Sequence, residues 1–104
     1  MRPASLLAAL LLVALACSKS ERDKPLSEPG ERLYPLRGRI EARDGRDNVL
    51  RVKHEEIPGF MKAMTMDFSV RGAEVASLPP DGAEIEARLH VTGRAYWLTD
   101  VKSR

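Results

Sequence analysis

The stretch Glu84-Ile85-Glu86-Ala87-Arg88-Leu89-His90-Val91 decides the fold class. Ile85, Ala87, Leu89 and Val91 recur with a period of two, the repeat of a strand with one buried face. Glu84, Glu86, Arg88 and His90 fall on the other side, so His90 is expected to face solvent. Working upstream, the same period returns three times. Leu36, Gly38, Ile40 and Ala42 oppose Arg37, Arg39, Glu41 and Arg43; Leu50, Val52 and His54 oppose Arg51, Lys53 and Glu55; Met64, Met66, Phe68 and Val70 oppose Thr65, Asp67 and Ser69. Asp44-Gly45-Arg46-Asp47-Asn48 is a turn, and Ala73 to Leu78 can form one helical turn before the turn-rich link Ser77 to Gly82. Downstream, Thr92-Gly93 turns the chain into a last strand, Arg94 to Lys102, whose faces are mixed and leave the side of Trp97 open. Five short, one-sided strands predict an all-β fold, a small closed barrel. Closure removes the strand edges that an open sheet would expose and helps a core this small.

The ends of the chain are of a different kind. Arg2 and the apolar run Leu6 to Ala16 read as a signal peptide over residues 1–16, too short to span a bilayer comfortably. Ala16-Cys17 at its end resembles a bacterial lipoprotein processing site, with Ala14 where leucine is usual. On that reading Cys17 is acylated, the protein is lipid-anchored on the periplasmic face of the cell envelope, and Ser18 favours the outer over the inner membrane. Residues 17–32, polar and carrying Pro25, Pro29 and Gly30, read as a flexible tether, with the barrel over 33–104. The chain has 17 Lys and Arg against 15 Asp and Glu, a formal charge of +2 with the signs alternating, which gives no basic patch for nucleic acid. With the single cysteine used for the anchor, neither a disulfide framework nor a thiolate metal site is available.

A soft metal would therefore need methionine and histidine, and these are concentrated in one place. Met61, Met64 and Met66 lie in the run Ile57-Pro58-Gly59-Phe60-Met61-Lys62-Ala63-Met64-Thr65-Met66, with His54 just upstream. Strand parity puts Met64 and Met66 on one face, and His54 on the apolar face of its own strand. If the two strands pair, all three meet at one end of the barrel. Alternate strand residues have Cα atoms roughly 6.5 Å apart, a gap that the long, unbranched methionine side chain can close. Two thioethers and a neutral imidazole suit a soft monovalent ion, Cu(I) above all, and binding weakens as acid protonates the imidazole. The same residues also fit a purely structural reading, because inward methionines commonly fill cores or make adaptable partner surfaces. His90 lies out of phase with the cluster. Glu55 and Glu56 are placed at its mouth, where they would attract a cation.

Tyr34 to Lys102 resembles the CusF-type periplasmic copper and silver chaperone domain. The resemblance is carried by His54-Glu55-Glu56-Ile57-Pro58-Gly59-Phe60-Met61-Lys62-Ala63-Met64-Thr65-Met66-Asp67-Phe68 and by Pro80-Asp81-Gly82. It implies an OB-like five-stranded barrel that binds Cu(I) or Ag(I) through His54, Met64 and Met66. The best-known member has a tryptophan three residues before the first methionine ligand, covering the metal. Met61 stands there in this chain, as a further ligand, as a cap, or as packing. The Ile-Pro-Gly-aromatic-Met form is also similar to CusF-like domains that accompany Sco-type copper proteins. The expectation is thus a non-enzymatic metallochaperone lipoprotein. It would pass its ion to an envelope copper-transport protein of an efflux system, or to a copper-insertion protein of oxidase assembly. The alternative is a metal-free interaction module. No nucleophile–base set, phosphate loop or hydrolytic carboxylate pair points to an enzyme.

Overall fold

The computed structural model describes residues 20–104, so the signal peptide and Cys17 lie outside the described residues. Five strands form the closed barrel that the period of two predicts: β1 (Arg32–Asp44), β2 (Val49–His54), β3 (Met64–Val70), β4 (Glu84–Val91) and β5 (Tyr96–Ser103), in the spatial order β1-β2-β3-β5-β4. β1 is long enough to serve two neighbours. Its first part runs antiparallel to β4, from Arg32↔Val91 to Arg39↔Glu84, and its second part antiparallel to β2, from Gly38↔His54 to Asp44↔Val49. Closure comes from a short parallel contact, Ser69↔Trp97 and Val70↔Leu98, between β3 and β5. The interior holds Leu36, Ile40, Leu50, Val52, Phe68, Val70, Ile85 and Leu89, the residues that alternation assigns to it, together with Leu98 from the last strand, whose faces the sequence left open, and Val75 from the 3-10 turn Val75–Ser77.

The turn before β2 is held by a buried amide. Asn48 takes a left-handed backbone, φ 57°, and its side chain donates to the carbonyls of Val70 and Ala73 at 2.9 and 2.8 Å while accepting from the Val75 N–H at 2.9 Å. Asn tolerates this conformation better than most non-glycine residues. Arg43 secures the other side of the same link, donating to the carbonyls of Val75, Leu78 and Pro79 and pairing with Asp81 at 2.9 Å.

Three expectations need correction, and one layer of side chains accounts for the first two. Residues 21–31 are not a free tether: they form a strap against the outside of the barrel. The strap starts beside Gly72, whose N–H donates to the Arg22 carbonyl, and Leu26 packs where a Gly72 Cβ would stand. Beneath it Trp97 is buried on the outer side of β5, its Nε1–H donating to the Leu26 carbonyl at 2.9 Å. The Arg71 guanidinium lies 3.8 Å from the Trp97 ring centroid, and the His90 ring stacks on the indole at 5.2 Å. His90 is thus on the outward face, as parity requires, yet only 3% exposed, with its ring nitrogens 3.0 Å from Glu31 and 2.8 Å from the Thr99 hydroxyl. The last strand begins at Tyr96, two residues later than the sequence suggests, because Thr92 and Ala95 close the turn by backbone hydrogen bonding.

Arg71, 5% exposed, is the hub of this layer, reaching Glu21 at 3.0 Å, Glu28 at 2.7 Å and the Pro25 carbonyl at 3.1 Å. Removing one partner of a buried ionic network strands the others. Arg71→Ala is expected to cost roughly 2–3 kcal/mol in denaturant unfolding, discounted because Glu28 keeps part of its solvent; a loss below about 0.5 kcal/mol would show that the strap contributes little.

The strap is also acid-sensitive. Partial burial pushes the Glu21 carboxyl up, but hydrogen bonds and charge from Lys24 and Arg71 more than reverse this. The Glu31 carboxyl is held down chiefly by the Glu28 backbone N–H, then by His90. Carboxyls lowered in the folded state add stability above their unfolded pKa and lose it as pH falls through the folded one. Strap docking should therefore be complete at neutral pH and weaken as the pH drops below the ordinary carboxylate value of 4.5. Emission from the single tryptophan should shift to the red in that range, and by less in Glu31→Gln.

Candidate metal centre

The register of β2 against β3 builds the site. His54 lies directly opposite Met64, and Val52 opposite Met66. Paired residues on one face have Cβ atoms about 5 Å apart, so the imidazole and the first thioether are cross-strand neighbours and the second is one diagonal away. The register thus puts all three side chains on one face of the β2–β3 pair. Burial, however, grades them. His54 is 2% exposed, Met66 is half-buried against the core, and Met64, at the first position of β3 where the barrel opens, is 47% exposed.

The His54 ring is fixed in one orientation. Its Nδ1 lies 2.7 Å from the Glu55 carbonyl oxygen. A carbonyl can only accept, so Nδ1 carries the hydrogen and Nε2 keeps its lone pair. The Glu55 backbone is itself anchored, its N–H donating to the Arg37 carbonyl at 2.9 Å. Among the described residues, His54 Nε2 is the one buried side-chain polar atom without a hydrogen-bond partner. Leaving such an atom unsatisfied costs about 1–3 kcal/mol, a cost that binding an electrophile removes. Phe68 tilts against the imidazole, ring centroids 5.8 Å apart, and Tyr96, itself 41% exposed, meets Phe68 edge-on at 5.6 Å. The imidazole therefore packs beside an aromatic pair, and its Nε2 has no competing hydrogen-bond partner.

Met61 belongs to the loop that joins β2 to β3 at this end. Ile57 and Met61 exchange backbone hydrogen bonds at 2.8 and 3.0 Å, with Gly59 at φ 78° supplying the left-handed position of the turn. Ile57 is buried, Met61 is half-buried against the core, and Phe60 stacks on Tyr34 at 4.6 Å. The loop thus keeps Met61 in a fixed turn three residues before Met64. Glu55, expected at the mouth, is there but is engaged by Arg104 at 3.0 Å, so it presents less free charge than the sequence suggests.

Gly38 matters to the site although it carries no side chain. It pairs with His54 across β1 and β2, and a Cβ on it would overlap the Lys53 carbonyl and come within 2.8 Å of His54 Cα and 2.9 Å of Val52 Cγ1. Two of those three atoms are backbone and cannot step aside cheaply. An isolated glycine within a strand pattern signals such a close approach, and this one is visible in the sequence. A cleft of about 300 Å³ runs from Gly38 between Arg39, Lys53 and Glu84 to His54. A larger surface hollow, about 560 Å³ beside Leu33–Arg37 and Glu86–Arg88, contains no imidazole or thioether, so volume does not mark the chemistry here. No group of three or more His, Cys, Asp or Glu side chains capable of holding a metal occurs among the described residues, and the donors available at this end are soft.

Fold and site together define a small closed barrel of the OB type with an imidazole and thioethers at one open end. A family model described as copper binding periplasmic protein CusF matches residues 33–103, and the chain belongs to this CusF family. No curated protein matches significantly. Among solved structures, metal-free CusF from Escherichia coli is similar with 20% identity and a TM-score of 0.64, covering 78% of this chain and 98% of that one. Its Ag(I) complex is similar at 17% identity and 0.61, covering 75% and 99%. The C-terminal domain of SilB from Cupriavidus metallidurans is similar at 24% identity and 0.57, covering 70% and 89%. At these identities the structural likenesses establish the barrel; the family rests on the sequence match.

Gly38→Ala should destabilise the protein by about 1–3 kcal/mol in chemical denaturation, as overpacking does, with the largest amide shifts at Lys53 and His54. A variant of unchanged stability and spectrum would show that β1 and β2 are not in this close contact.

Proposed function

We propose that this protein binds one Cu(I) or Ag(I) ion through His54 Nε2 and the sulfurs of Met64 and Met66, and carries it rather than transforms it. The observation that carries the reading is the buried lone pair of His54, unpartnered and one cross-strand pair away from a thioether. All three donors are neutral, so a monovalent ion adds a single charge to the site, and the Phe68 and Tyr96 rings shield it. Membership of a family named for copper binding supports the same assignment. Met61, held by its turn at the site's edge, acts as a fourth thioether or as a cap over the ion.

Carriage implies delivery. The ion would pass by ligand exchange to an envelope copper-transport protein of an efflux system or to a copper-insertion protein of oxidase assembly. Acylation of Cys17 would hold the carrier at the periplasmic face, at the outer membrane by the Ser18 preference. The strap then does more than tether: from Glu21 onward it seats the barrel against its own linker.

A ligand that binds only the folded state stabilises it, by about 2.7 kcal/mol when its free concentration is 100 times Kd. Titration with Ag(I) should show one equivalent bound and a raised Tm. Met64→Ile and Met66→Ile should each abolish or strongly weaken this response while leaving the ion-free protein folded. If the native protein shows no stoichiometric binding, or if Met64→Leu behaves as the native protein does, the methionines are packing and the metal-free interaction module is the better reading.

A further inference from the structure

Resting on the copper reading above, we propose that Met64 is the exchange ligand of the site: the ion enters and leaves through it, and His54 is the last donor to let go. The three donors are chemically able to leave in any order; what separates them is how each is held. Nε2 of His54 has essentially no solvent contact, its ring is locked through Nδ1 to the Glu55 carbonyl, and releasing the ion leaves its lone pair bare in the interior. Met66 is packed against the core beside Phe68. Met64 is different on both counts. Nearly half exposed, it is absent from the side chains packed on the core, and its three rotatable bonds give the sulfur freedom to swing outward.

The approach to Met64 is open as well. β3 pairs with β2 along six positions from His54↔Met64 to Val49↔Ser69, but on its other side only Ser69 and Val70 meet β5. Among the described residues no strand pairs with Met64 to Asp67 on that side, and β5 comes in at Phe68, whose ring meets Tyr96. An acceptor therefore comes to the ion across the Met64 end of β3, bringing a thioether, thiolate or imidazole donor. The step balances simply. A lone pair of the incoming donor bonds to the ion as the lone pair of the Met64 sulfur is released, and the ion remains monovalent with no electron transferred. Met66 and then His54 follow, so the acceptor holds the ion before the carrier has lost it.

The test uses Ag(I)-loaded protein labelled with ¹³C at the methionine methyls and ¹⁵N in histidine, titrated with N-acetylmethionine as the incoming thioether. The expected result is a mixed complex in which the Met64 methyl has returned to its metal-free shift while His54 Nε2 keeps its metal-bound shift and Met66 lies between. Release of Met66 or His54 before Met64, or all three signals moving together, overturns the order while leaving the binding assignment intact. If one equivalent of Ag(I) moves none of these signals, the copper reading itself fails and the order falls with it.

Discussion

The pairing of β2 with β3 in the register His54↔Met64 is the constraint on which the rest of the site depends. A shift of one residue would turn Leu50, Val52 and His54 out of the barrel, or Met64, Met66, Phe68 and Val70 with them. Burial of Leu50, Val52, Phe68 and Val70 thus fixes the register for reasons of core packing alone, and the soft donors inherit their positions from it. The site uses the last inward place of one strand and the first of the next, where the barrel's apolar contents give way to solvent. The core supplies rigidity, and the open end supplies access.

Two further contacts set the finer geometry. Gly38 lets β1 approach His54 closely enough to hold the Glu55 backbone through Arg37, and the Glu55 carbonyl then selects the imidazole tautomer that leaves Nε2 free. On the outside, the strap from Glu21 to Glu31 covers Trp97 and His90 through Arg71. The protein therefore has two interiors: an apolar one inside the barrel, and a polar-aromatic one between strap and sheet. The second begins beside Gly72, beyond the end of β3 remote from Met64, and so leaves the donor end uncovered at that strand.

The barrel and the inward phase of His54, Met64 and Met66 were legible in the sequence because parity is a property of single strands. What parity cannot carry is coverage by a distant segment. His90 falls on the outward face as expected and is nevertheless buried, because Glu31 and the strap lie over it; Trp97 was undecidable for the same reason. The strap's own composition, polar and rich in proline, conceals its docking, which relies on carboxylates meeting one buried arginine and on a carbonyl meeting an indole N–H rather than on apolar area. The contrast between Met64 and Met66 was likewise invisible, since both occupy the same face and differ only in distance from the open end. The close approach at Gly38 was signalled by the residue type and gained its meaning from the pairing with His54.

X-ray absorption at the copper edge of the protein loaded with one equivalent of Cu(I) tests the central claim most directly. The account predicts a shell of one nitrogen with two or three sulfurs, whose nitrogen contribution disappears in His54→Ala and whose sulfur contribution falls in Met64→Leu. A shell of nitrogen and oxygen without sulfur, or one unchanged by both substitutions, would contradict it.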